Sequence, residues 1–108
     1  MEFKVNSKIL EKVLSRIIPA VPARTPMPIL ENFLFEIKGG LMVIYATDLE
    51  ISLKSSINVA STENLSIVIP ARLVYDVIRS MDDVQISFSA EGNSKLKLTT
   101  ENGVYNIS

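Results

Sequence analysis

The chain has 108 residues, 47% of them hydrophobic, with five prolines, four glycines, no cysteine and no histidine. That is the size of one globular domain with a core of its own, and it excludes disulfides, thiolate nucleophiles, imidazole bases and His-ligated metals. No run of about 18 apolar residues is present to span a membrane, and a net charge of −1 by itself indicates no partner.

The start, MEFKVNSKIL, carries Glu2 early and has no apolar stretch ending in a cleavage site, so it is not expected to be a signal peptide. Phe3 and Val5 alternate with polar neighbours, as a strand does. The spacing then predicts a helix over Ser7 to Ile18. Ile9, Leu10, Val13, Leu14 and Ile17 recur at helical intervals, Asn6 or Ser7 can cap the start, and Pro19 stops it. In ARTPMPILENF, Pro26 and Pro28 fix φ and cannot donate backbone hydrogen bonds, so a stiff, extended connector is expected, with Arg24 at its start. Phe33, Phe35 and Ile37 alternate, LMVIYAT is apolar on both faces, and Ile51, Leu53 and Ile57 alternate again. Gly39-Gly40 has hairpin chemistry between the first two of these runs.

A second helix is expected from Pro70 to Met81, where Leu73, Val74, Val77, Ile78 and Met81 form a stripe behind an initiating proline. Val84, Ile86 and Phe88, then Leu96 and Leu98, then Tyr105 and Ile107 read as strands, with turn signals in EGNS and Asn102-Gly103. In order this is strand, helix, three strands, and the same again. The fold class expected is α+β: one domain over 1–108, made of a duplicated βαβββ unit with half-repeats of about 1–60 and 61–108 and two helices against antiparallel sheets.

The charges are unevenly placed. The two helices and Arg24 hold six basic side chains (Lys8, Lys12, Arg16, Arg24, Arg72, Arg79) against Glu11 and Asp76, a balance of +4; the remaining five basic and ten acidic residues leave −5. Lys8, Lys12 and Arg16 step by four and stack along one side of a helix, and Arg72 and Arg79, seven apart, share another. Charged outer faces are ordinary on amphipathic helices. Two basic faces in a repeated unit, on a chain otherwise acidic, point to a phosphate-facing surface. Lys and Arg without interleaved aromatics suit attraction to the backbone of a nucleic acid, not base reading.

Catalytic signals are missing. No dinucleotide or Walker-type loop occurs among the four glycines. Asp48 and Glu50 in ATDLEIS point to opposite faces if extended, and TDLE reads better as a tight strand connection. Asp82-Asp83 reads as a turn after the helix. A metal-dependent hydrolase built on these four carboxylates is a remote alternative, and neither a metal nor a cofactor is expected.

MEFKV opening into a basic helix, RTPMPILENFLFEI, TDLEISL and VIPARLVYDVIRSM, in that order across the segment, resemble the N-terminal domain of the bacterial sliding clamp, the β subunit of DNA polymerase III. The sequence departs modestly, with Thr25-Pro26 where many members read Pro-Thr and Glu31 where some have Gly. The resemblance implies a DNA-clamp fold and a non-catalytic processivity factor with three such domains per protomer, two protomers closing head to tail into a ring around double-stranded DNA. Helices would line the hole and sheets form the outside. It places the DNA-contacting arginines at Arg24 and Arg72, with Arg79 and the Lys8–Lys12–Arg16 stripe facing the same hole. It places Tyr105 and Ile107 at the apolar contact with the second protomer. It further implies a cytoplasmic protein at replication forks, a fragment that lacks its later domains, and contact with the polymerase III catalytic subunit and clamp loader through those domains. The competing reading is an edge-strand protein–protein interaction module with no role on DNA.

Overall fold

The computed structural model describes residues 2–22, 27–61, 63–91 and 95–107. The elements are β1 (Glu2–Asn6), α1 (Ser7–Ile17), β2 (Asn32–Lys38), β3 (Leu41–Thr47), β4 (Ser52–Asn58), β5 (Leu65–Pro70), α2 (Ala71–Arg79), β6 (Gln85–Glu91), β7 (Lys95–Thr100) and β8 (Gly103–Ile107). The duplicated βαβββ order is therefore present, with short 3-10 turns at Ile18–Ala20 and Pro28–Glu31.

The strands form two four-stranded antiparallel sheets, ordered β1-β6-β7-β8 and β4-β3-β2-β5. Each sheet joins a three-stranded meander from one half to the first strand of the other half. β1 lies on β6 with Phe3 opposite Phe88, and β5 lies on β2 with Ile67 opposite Phe35. This exchange makes the two halves one body, because neither meander is complete without the other half's strand. A further bridge, Lys4 to Ala60 with bonds of 2.9 and 3.1 Å, ties the chain after β4 to β1. The β2–β3 turn is made by Gly39 and Gly40, both at positive φ (59° and 79°), the conformation that a two-residue hairpin requires and glycine adopts without strain.

The core is continuous. Phe3 stacks on Phe88 at 4.6 Å between ring centroids, and Phe35 tilts against both at 6.4 Å, so aromatic rings from both sheets meet. From the helices, Leu10, Val13, Leu14 and Ile17 enter from α1, and Ala71, Val74 and Ile78 from α2, with Met81 just beyond. α1 and α2 pack directly against each other.

Three sequence expectations are corrected. Ile9 and Leu73, counted in the apolar stripes, are 55% and 51% exposed. Their places in the two helices correspond: each is the third residue of its helix and adjoins a buried one, Leu10 or Val74. The connector after Pro26 does not run extended into β2: Pro28–Glu31 form a 3-10 turn closed by Leu30 N–H donating to the Met27 carbonyl at 3.0 Å. Proline's fixed φ suits a first helical turn as well as an extended chain. The last hairpin turns on Glu101 and Asn102 with Gly103 already paired to Thr100 in the ladder, one residue earlier than the Asn102-Gly103 signal suggests. The EGNS turn falls largely on 92–94, outside the described residues.

Candidate nucleic-acid interface

The surface is built from the helix starts upward. Asn6 leaves β1 with an extended backbone, and its Oδ1 accepts from the N–H groups of Lys8 and Ile9 at 2.9 and 3.0 Å, capping α1. Pro70 occupies the same place before α2, where no side chain caps the helix. Neither first turn contains an acidic residue. Lys8 and Arg72 stand there instead, next to the positive end of the helix dipole, where a cation is unfavourable for the helix by about 0.3–1 kcal/mol. Local stability would prefer Asp or Glu at both positions. A cation at both helix starts adds to the dipole and builds a field that attracts anions.

Lys8, Lys12, Arg16, Arg72 and Arg79 are all exposed, while the opposite side of each helix is buried. The two helices that carry them pack against each other. The cations differ in how free they are. Lys8 pairs with Glu11 at 3.5 Å within its own helix. Arg79 pairs with Asp76 at 3.0 Å, and its guanidinium lies 5.3 Å from the Tyr75 ring centroid. Lys12 and Arg16 have no ion pair among the described residues. Arg72 donates from Nη2 to the Val21 carbonyl at 3.0 Å. Arg24 lies outside the described residues, so the structure does not place it beside the others.

Of the carboxylates that could have formed an acid–base or metal site, those of Asp48 and Asp83 have structural roles. Asp48 Oδ1 accepts from the N–H groups of Glu50 (2.9 Å) and Ile51 (2.7 Å), and Thr47 Oγ1 accepts from Leu49 N–H at 3.0 Å. The turn they close holds Leu49 at φ 81°, and the backbone bonds hold the Asp48 carboxyl below its ordinary value of 3.8. Asp83 Oδ1 accepts from Asn6 Nδ2 at 2.7 Å, and the Asp82 carbonyl accepts from Ser7 Oγ at 2.7 Å. Among the described residues no group of three or more His, Cys, Asp or Glu side chains could hold a metal ion.

At the other end of the molecule's chemistry, Tyr105 and Ile107 lie on β8, an edge strand. Ile107 is buried in the chain's own core and Tyr105 is half-buried against it. A largely apolar cavity of about 680 Å³ opens on the β2–β5 sheet, lined by Leu30, Phe33, Leu34, Tyr45, Leu53 and Val68, and none of the expected DNA-contacting residues borders it.

Residues 1–108 match the family model for the DNA polymerase III beta subunit, N-terminal domain. The chain belongs to this family. Beta sliding clamps of Buchnera aphidicola (34% identical over 108 residues) and Haemophilus influenzae (31% over 111) cover 97% and 94% of it. The chain spans only 29% and 30% of those proteins, and 29% of the Chlamydia muridarum beta sliding clamp, to which it is 25% identical over 107 residues. The crystal structure of the DNA polymerase III subunit beta from Pseudomonas aeruginosa superposes with a TM-score of 0.92 at 29% identity, covering all of this chain and 30% of that one. The subunit from Bartonella birtlesii gives 0.92 at 28%, covering 100% and 31%. The fold is thus that of a clamp domain.

Three features of this clamp domain went unread in the sequence. Ser7 is the only fully buried polar residue in the described core, the Val21 carbonyl is the partner of Arg72, and Arg79 is partly neutralised by Asp76. An i, i+3 pairing of Asp76 with Arg79 could have been read from spacing. The other two join segments far apart in the chain and have no local signature.

Proposed function

We propose that this chain is the N-terminal domain of a three-domain sliding clamp, with half-repeats of about 1–60 and 61–108, whose two protomers close head to tail around duplex DNA. As a non-catalytic accessory subunit, the ring slides without reading sequence and ties the replicative polymerase to its template in the cytoplasm, at the fork. The polymerase III catalytic subunit and the clamp loader bind through the later domains. The observation that carries this reading is the pair of adjoining helices, each with a cation and no acid in its first turn. Lys8, Lys12, Arg16, Arg72 and Arg79, with Arg24, supply an attraction to phosphates that is interchangeable along the duplex, because no base edge is addressed. The free edge of β8 is where a strand of the neighbouring protomer adds, with Tyr105 at the contact and Ile107 supporting it from the core side.

The test uses the full-length protein. Reversing Arg24 and Arg72 together to Glu should lower loading onto nicked circular duplex by tenfold or more, and linearising the circle should release every loaded ring. Undiminished loading, or rings that stay on linear DNA without blocked ends, would favour a plain interaction module.

A further inference from the structure

In this fold each helix starts against the segment that follows the other helix. At α1, Ser7 makes the join. Its N–H donates to the Val84 carbonyl at 2.8 Å, its Oγ donates to the Asp82 carbonyl at 2.7 Å, and the same Oγ accepts from Val84 N–H at 3.0 Å. The residue in the corresponding place at α2 is Ala71, equally buried and without a hydroxyl. There the join is made by the next side chain, Arg72, whose Nη2 reaches the carbonyl of Val21, just past the 3-10 turn that ends α1. Arg72, Ala71 and Pro70 line a cleft of about 340 Å³ together with Val21, Pro22 and Glu31.

We infer that Arg72 is a positioning residue: its guanidinium clasps the connector after α1 onto the start of α2, the service Ser7 performs for the other half. The connector so held is the one that carries Arg24. A guanidinium has five N–H donors in a rigid fork, so one can stay on Val21 while the others face a phosphate. Substituting Arg72 therefore removes its own charge and also frees Val21, three residues before Arg24 in the chain. The clasp itself stands on the geometry; its consequence for DNA rests on the function proposed above.

Two readouts on the full-length protein separate these. In Arg72→Ala, and in Arg72→Met, which keeps the aliphatic stem, hydrogen exchange of peptides containing the Val21 and Leu30 amides should quicken about tenfold. Peptides containing the Val84 amide, held by Ser7 at the other helix start, should keep their rate. The salt dependence of affinity for short duplex DNA is the second readout. Each phosphate contact contributes about 0.9 to the slope of log affinity against log salt. Arg72→Ala should lower the slope by roughly twice that, and adding Arg24→Ala should then change little. Unaltered exchange at Val21 and Leu30 would overturn the clasp. Quickened exchange, with slopes that fall by one contact for each substitution independently, would overturn its link to Arg24. Quickened exchange, with neither substitution moving the slope, would leave the clasp standing and remove the DNA reading.

Discussion

Ser7 shows how much one small side chain can decide. It is fully buried, and its hydroxyl satisfies both the Asp82 carbonyl and the Val84 N–H. Ser7→Ala leaves those two backbone groups without their partner, the Val84 N–H in a buried setting and the Asp82 carbonyl in a part-buried one. The expected cost is about 1–3 kcal/mol, read as faster exchange of the Val84 amide. Asp48 works the other way, in the open. Its carboxylate is stabilised by the N–H groups of Ile51 and Glu50, so the charged form is favoured in the folded state. A folded value below the unfolded 3.8 means the contribution is complete above that pH and is lost as pH falls through the folded value. Measured against their intrinsic rates, which themselves slow in acid, the Glu50 and Ile51 amides should therefore lose protection on acidification below about pH 4, and should lose it at neutral pH in Asp48→Ala.

At the scale of elements, the β3–β4 connection trades strain for shape. Leu49 stands at φ 81° with 68% of its surface exposed, its own N–H donating to Thr47 Oγ1 and the next N–H, of Glu50, donating to Asp48 Oδ1. The left-handed region costs a branched residue roughly 1–2 kcal/mol, and Asn tolerates it better. Leu49→Asn should raise the midpoint of urea unfolding by an amount equivalent to about 1 kcal/mol or slightly less; a drop would mean the exposed leucine packs in a way its exposure conceals. The helices were legible as elements, because Leu10, Leu14, Val74 and Ile78 repeat at helical spacing and prolines flank them. Their exact buried faces were not. Ile9 and Leu73 are as apolar as their neighbours, yet the packed structure leaves them in solvent.

Over the whole molecule, the positive surface arises because two amphipathic helices turn their apolar sides to a shared core and so their basic sides outward together. The cations on it are unequal. Arg79 already faces Asp76, whereas Arg16 meets no carboxylate among the described residues. In the full-length protein, Arg16→Ala should lower the salt slope of duplex binding by about 0.9, and Arg79→Ala by clearly less. Equal losses would show that the Asp76 pair opens on DNA at no cost.

The amino-acid sequence alone determined the order of elements, the partition of charge between helices and the rest, and the kinship carried by PILEN, ATDLE and IPAR. These are local: periodicity, capping and turn chemistry act over a few residues and can be read in a line. What the tertiary structure decided was pairing at a distance. It exchanged β1 and β5 between the sheets, set Ser7 against Asp82 and Val84, and brought Arg72 to the carbonyl of Val21. A hydrogen bond between such positions depends on how two sheets and two helices close on one another, and that closure is a property of the packed core, not of any segment within it.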